Sequence, residues 1–257
     1  MSTIEHLSPV RDQPFPDEWY DASVASHFWF RWRMAALLRA LRAVSADLST
    51  PSRVLDVGCG PGVLATDLER ATAWTVDGTD LNLAALQRCG PRRGRTLYYD
   101  VTDRLPALRE AYDAAVVFDV LEHLPDPRSF VAAVAYHVRP GGLLLVNVPA
   151  LPALTSAYDR AAGHLRRYTA ETLRSELGGL PLELRAVRYW GLTLVPLLLA
   201  RKLVLRRDGP RVIDRGFRPP FPGVNGLLTG LMRLELAVCP TPPLGTSLLY
   251  VGARVES

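Results

Sequence analysis

The chain of 257 residues has few cysteines, and the three present, Cys59, Cys89 and Cys239, show no C-x-x-C spacing. A sparse, odd set excludes a disulfide framework and a zinc finger, and a reducing cytoplasm is the expected compartment. Long hydrophobic runs are also missing. No stretch of about 18 apolar residues occurs, which removes an ordinary membrane-spanning helix. The opening MSTIEHLSPVRDQPFPDEW is polar and proline-containing and has no apolar core of the kind a secretory leader carries. Lysine is nearly absent: Lys202 is the only one, and arginine supplies the rest of the basic side of a net charge of +4. The arginines are interleaved with Asp and Glu, so the massed basic face of a nucleic-acid binder is lacking. Internal repeats are absent as well. With 48% apolar and 22% charged residues, the composition suits one large globular domain.

Four zones follow one another. Residues 1–50 read as a polar arm and a helix over Val24–Val44 loaded with aromatics, a candidate lid. Residues 51–257 read as the main domain. Within it, Arg53–Val57, Trp74–Gly78, Arg95–Tyr99, Tyr112–Phe118 and Leu143–Val148 read as strands. Helices are expected over Val63–Arg70, Leu81–Arg88 and Arg128–Val138, with a turn at Pro140–Gly142. Strands alternating with helices predict βαβ units and a parallel sheet covered on both faces. Two insertions, 151–170 and 191–245, follow the fifth strand. Between them a helix is expected at Thr169–Leu177 and a sixth strand at Leu182–Trp190, and the second insertion holds an apolar patch at Gly191–Leu205, a Pro/Arg-rich loop at Asp208–Gly223 and a helix at Val224–Val238. A last strand is expected at Ser247–Val251.

The glycine loop VLDVGCGPG, Val54–Gly62, is not a phosphate cradle. A P-loop needs Gly-Lys-Ser/Thr, and a dinucleotide loop needs G-x-G-x-x-G; here Val63 holds the third required place. Asp56 sits just before the loop, where it repels a pyrophosphate and attracts a cationic ligand. Asp80, at the end of the second strand, stands where a carboxylate accepts both ribose hydroxyls. Asp100 closes the third strand. The set suits a nucleoside bearing an ammonium group, S-adenosyl-L-methionine.

DVGCGPG, then TD, YD, FDVLEHL and RPGGLLLVNVP at successive strand ends, resemble the class I S-adenosylmethionine-dependent methyltransferases over about Arg53–Pro149. The resemblance implies an α/β, Rossmann-like sheet of seven strands, mostly parallel with an antiparallel last strand and helices on both faces. It implies that Gly58, Gly60 and Gly62 let backbone approach the cofactor and that Asp56 supports its amino end. Asp80, beside Leu81, would bind the ribose. Asp100 and the Val101 amide would meet the adenine, and Phe118 or Asp119 would lie by the methionine end. The product would be S-adenosyl-L-homocysteine.

Acceptor residues are expected outside the carboxyl ends of the strands. His27 and Trp29 on the aromatic helix are substrate candidates, against the alternative of a helix packed on the sheet. YDRAAGHLRRY, Tyr158–Tyr168, resembles a subset of these enzymes. There Tyr158, Arg166 and Arg167 are substrate candidates and His164 and Tyr168 catalytic ones, unless Asp159 merely pairs with Arg166 or Arg167. His123 in LEHLPD is the third catalytic candidate. No residues show metal-ligand spacing, so no metal is expected.

The expected function is methylation of a small, apolar acceptor or a short peptide, on a hydroxyl, a carboxyl or a nitrogen. Natural-product, lipid or quinone biosynthesis fits such an acceptor. The alternatives are a non-catalytic cofactor-binding or regulatory subunit and, further off, an RNA methyltransferase. No nucleic-acid partner is expected; a monomer or homodimer is, with peripheral membrane contact through Gly191–Leu205 as one reading of that patch.

Overall fold

A computed structural model describes residues 3–10, 27–204 and 222–256. The expected helix start at Val24 and all but the end of the loop at Asp208–Gly223 lie outside the described residues.

Strand periodicity sets the sheet. In Leu143–Val148, Leu144, Val146 and Val148 pack into one apolar cluster and Leu145 into another on the opposite face. The strands are β1 (Ile4–His6), β2 (Arg53–Val57), β3 (Thr75–Asp80), β4 (Thr96–Tyr98), β5 (Tyr112–Phe118), β6 (Val138–Pro149), β7 (Leu182–Trp190) and β8 (Ser247–Arg254). They form one sheet in the order β1-β4-β3-β2-β5-β6-β8-β7. Strand β8 runs antiparallel to β6 and β7, and every other pairing is parallel. The order reverses between β2 and β5, which opens a crevice at their carboxyl ends where ligands of such sheets bind.

The sequence predicts seven strands, and the sheet has these plus an eighth. Ile4–His6, inside the polar arm, pairs in parallel with Thr96–Tyr98 at the edge. A three-residue strand is too short to show alternation. Strand β3 begins and ends later than expected, so Asp80 is its last residue. Pro140–Gly142, expected as a turn, lies within β6, where the pairing with β5 shifts register between Tyr112 and Ala114.

Helices α1 (Phe28–Ala43), α2 (Val63–Ala71), α3 (Leu83–Gln87), α4 (Pro127–His137), α5 (Ala157–Ala161), α6 (Ala170–Leu177), α7 (Val195–Val204) and α8 (Pro222–Val238) flank the sheet. One face carries α1, α2 and α8; the other carries α4 and α6. Helix α1 earns its place through Trp32, Leu37 and Leu41, all fully buried. Helix α4 starts where the sequence says it should. Asp126 accepts from the Ser129 amide at 3.0 Å and Pro127 takes the first position. Helices α7 and α8 keep Leu197, Leu199, Leu227, Leu234 and Val238 exposed. Among the described residues no helix is long and apolar enough to cross a membrane.

Candidate active site

The loop after β2 is a left-handed turn built by glycine. Gly58, Gly60 and Gly62 have φ of 73°, 52° and 73°. A Cβ on Gly58 would sit 2.4 Å from Val120 Cγ2, so only glycine fits where this loop passes the one after β5. The Gly58 and Cys59 amides donate to the Thr79 carbonyl at 2.8 and 3.0 Å, which ties the loop to β3.

Two of the expected acids meet this loop. Asp80 accepts from the Gly60 amide and from the Asn82 amide, both at 2.8 Å. Burial pushes its carboxyl up, and the Asn82, Gly60 and Leu81 amides oppose that rise. Asp56 is buried, and its Oδ2 has no partner among the described residues. Burial pushes it up to about 6, against the pull of the Arg33 and Arg92 charges. A buried carboxylate oxygen without a donor is what a ligand ammonium would satisfy, and the positive φ at Gly58, Gly60 and Gly62 makes a tight turn that carries no side chain at these three places. On these two observations the residues fit the cofactor the sequence implies. Leu81 packs half-buried beside Cys59, Leu86, Cys89 and Tyr98. Asp100 instead caps a short turn, accepting from the Thr102 amide at 2.9 Å and hydroxyl at 2.6 Å, with Val101 buried next to it.

At the end of β5, Asp119 holds a left-handed conformation, φ 59°. Such backbone costs energy in a residue with a Cβ and persists only when its surroundings over-determine it. Here Asn147 does so. Its carbonyl accepts from the Asp119 amide at 2.9 Å, its Nδ2 donates to Asp119 Oδ1 at 2.8 Å, and its Oδ1 accepts from Trp190 Nε1 at 2.9 Å. Arg33 Nη1 then pairs with Asp119 Oδ2 at 2.7 Å. The guanidinium lies over Trp29, Phe30 and Phe118, 4.9 to 5.6 Å from each ring centre. Neither Arg33 nor Asn147 is among the residues the sequence singles out. The available signals are a charge inside an aromatic helix and an amide inside LLLVNV, since each must find partners when buried.

The helix α1 start brings His27 and Trp29 to the same end of the sheet. His27 Nδ1 accepts from the Trp29 amide at 3.2 Å as the helix cap, and Trp29 leans on Trp190 with ring centres 6.0 Å apart.

The loop after β5 and the turn after α5 converge. Gly163, at φ 78°, turns the chain so that His164 and His123 meet edge to face, 4.9 Å between ring centres. His164 Nδ1 lies 3.2 Å from Asp159 Oδ1, and its Nε2 lies 3.9 Å from Glu122 Oε1. Burial would raise the Asp159 carboxyl, but hydrogen bonds from His164 and Arg167, with the Arg167 charge, hold it well below the usual range. Burial, with the Asp119 charge next, drives Glu122 far above the usual range. Burial and His164 lower His123 to about 4.

The remaining candidates are held by the protein. Arg167 is buried, with Nη2 2.6 Å from Asp159 Oδ1 and Nη1 donating to the Ala150 carbonyl at 2.9 Å. Arg166 donates to the Leu124 and Pro125 carbonyls at 3.0 and 3.1 Å. The Tyr168 hydroxyl reaches the Leu121 carbonyl at 3.4 Å from a buried ring, and Tyr158 is buried in α5.

With this geometry in view, the relatives are informative. The Methyltransf_23 family profile, a methyltransferase domain, matches residues 29–187. The trans-aconitate 2-methyltransferase of Deinococcus radiodurans is 33% identical over 129 residues, covering 50% of this chain and 47% of that protein. The ubiquinone biosynthesis O-methyltransferase of Thiobacillus denitrificans is 40% identical over 151 residues, covering 55% and 62%. The chain thus spans between about half and two thirds of the length of these curated relatives. An S-adenosylmethionine dependent methyltransferase structure from Mesorhizobium loti superposes with a TM-score of 0.56 at 18% identity, over 85% of this chain and 98% of that one, which speaks to the fold. The profile takes in well over half of the chain, and the sheet it spans closes on an acid-lined glycine loop, so the protein belongs to the methyltransferase-domain family.

Proposed function

We propose that the chain is an enzyme that moves a methyl group from S-adenosyl-L-methionine to a hydroxyl oxygen of a small, largely apolar molecule. The observation that carries the reading is the glycine loop closed onto Asp80 by the Gly60 amide, with the bare Asp56 oxygen at its base. When bound, the cofactor supplies a methyl group already activated on a positively charged sulfur. The chain has to seat it, place the acceptor and keep water out; alignment of that kind is worth several kcal/mol, up to roughly 7–11.

Asp56 faces the ligand's ammonium, Asp80 its ribose, and Asp119 its methionine end. Asp100 and Val101 flank the adenine. His27 and Trp29 close over the acceptor, and the half-buried Trp29 ring against Trp190 favours an apolar one. Hydroxyl is preferred over carboxylate because the two arginines suited to clamp a carboxylate, Arg166 and Arg167, are engaged with backbone carbonyls and Asp159. A hydroxyl needs help in losing its proton and a carboxylate does not. The cluster of Glu122, His123 and His164 supplies that help. One relative's name, an O-methyltransferase, agrees with oxygen as the atom methylated.

Calorimetric titration with S-adenosyl-L-methionine should show one site, lost in Asp80→Ala while that variant stays folded. A panel of phenols, alcohols and carboxylic acids, followed by mass spectrometry for one added methyl, should score on hydroxyls. Unchanged cofactor affinity in Asp80→Ala would remove the seat. Methylation of acids alone, with a flat rate from pH 6 to 8, would replace hydroxyl by carboxyl.

A further inference from the structure

The cluster just assigned to acceptor activation has a feature that proton chemistry alone leaves unexplained. Glu122 is 1% exposed, and its Oε2 has no hydrogen-bond partner among the described residues. A buried carboxyl oxygen without a partner is costly whether the group is ionised or protonated, and a bound cation is one way to satisfy it. Two imidazoles lie within reach of it. Glu122, His123 and His164 each present one ligand atom, all within 4.8 Å of one another. The 3.9 Å between Glu122 Oε1 and His164 Nε2 is too long for a hydrogen bond and near the separation of two donors sharing one ion.

The surroundings support the same reading. His164 has its Nδ1 against Asp159 at 3.2 Å, and Asp159 is locked by Arg167 and by the Ser156 amide and hydroxyl, each at 2.8 Å. A carboxylate on one ring nitrogen orients the ring and leaves the other nitrogen basic, the arrangement found behind metal-ligating histidines. We propose that Glu122, His123 and His164 form a binding site for a divalent cation of the zinc type, with an open position for the acceptor's hydroxyl oxygen. Two imidazoles and one carboxylate suit zinc, cobalt or manganese better than magnesium or calcium, which prefer all-oxygen sites. Three protein ligands are the number that leaves a coordination position free, and an oxygen held there is more acidic than in water. The inference rests on the methyltransferase reading only for what fills that open position, since the site itself is defined by these three side chains.

The test uses the full chain, tag-free and stripped with a chelator, titrated with Zn2+ and with Co2+ by calorimetry and visible absorption. The expected result is one equivalent bound at micromolar or tighter affinity, with cobalt bands of nitrogen/oxygen coordination. Glu122→Gln and His164→Ala should each weaken binding at least 10-fold, and Arg31→Ala, on the exposed side of α1, should not change it. Thermal melting identifies any variant that fails to fold, and His123→Asn then serves in its place. No stoichiometric binding overturns the proposal, as does equal binding by folded ligand variants. A strong near-ultraviolet cobalt–thiolate band also overturns it, because it would place the ion on cysteine, and Cys59, Cys89 and Cys239 are all free thiols outside this cluster. S-adenosyl-L-methionine affinity of the metal-free protein, measured alongside, reports on the methyltransferase reading separately.

Discussion

Asp56 shows how one residue couples stability to ligand binding. Its carboxyl is raised from 3.8 to about 6 chiefly by burial. The folded state therefore holds a proton that the unfolded chain has released. The stability this group allows is complete below about pH 4 and is lost as pH rises through 6. Asp56→Asn should unfold at higher urea than the wild type at pH 8, by about 1–3 kcal/mol, and show little difference at pH 4. The same variant should bind S-adenosyl-L-methionine at least 10-fold more weakly. In the wild type, cofactor affinity should tighten as pH rises from 5 to 7. Asn147 poses the opposite case. Asn147→Leu keeps the branching of the side chain but strips partners from Trp190 Nε1 and from Asp119. It should cost about 1–3 kcal/mol in chemical unfolding at pH 7, the price of leaving buried polar groups unpaired. Asp56 was legible in the sequence because its place before the glycines has a chemical meaning. Asn147 was not, because its partners come from β5 and β7.

At the scale of elements, the helix α1 stripe and the loop after β2 do different jobs. Trp32 has no exposed surface and lies among Leu37, Leu41 and Trp190 in the core. Trp32→Ala should destabilise by about 3–5 kcal/mol in urea unfolding. One turn earlier, the half-buried Trp29 should matter little for stability, and Trp29→Ala should raise the acceptor's KM. Helical spacing made α1 visible. Its middle is core, and on the proposed reading its start, with the capping His27, Trp29 and Arg33, faces the acceptor. The loop is tested by glycine. Gly58→Ala meets both positive φ and Val120, and should abolish cofactor binding. Gly90→Ala, with nothing within 4 Å of the added carbon, should leave it intact.

For the molecule as a whole, a ligand that binds only the folded state stabilises it by mass action. At a free concentration of about 100 times Kd the gain is about 2.7 kcal/mol. For a chain of 257 residues that corresponds to a rise in Tm of roughly 5–10 °C. S-adenosyl-L-homocysteine should give this shift in a melting scan of the wild type and none in Asp80→Ala. A shift of equal size in that variant would show the nucleoside held without its carboxylate.

The sequence alone determined the alternation of strands and helices, the glycine loop and the acids at the strand ends. All of these rest on spacing within a few residues, where backbone geometry and side-chain chemistry are local. The tertiary structure decided which side chains share a site. It joined Glu122 and His123 to His164, tied Arg167 to Asp159, and ran a polar chain from Trp190 through Asn147 and Asp119 to Arg33. Apart from Arg167 and Asp159, eight residues apart and already a candidate pair in the sequence, those pairings join residues far apart in the chain. They exist because the sheet order places the carboxyl ends of β5 and β6 side by side under the start of α1, and no periodicity along the chain encodes that meeting.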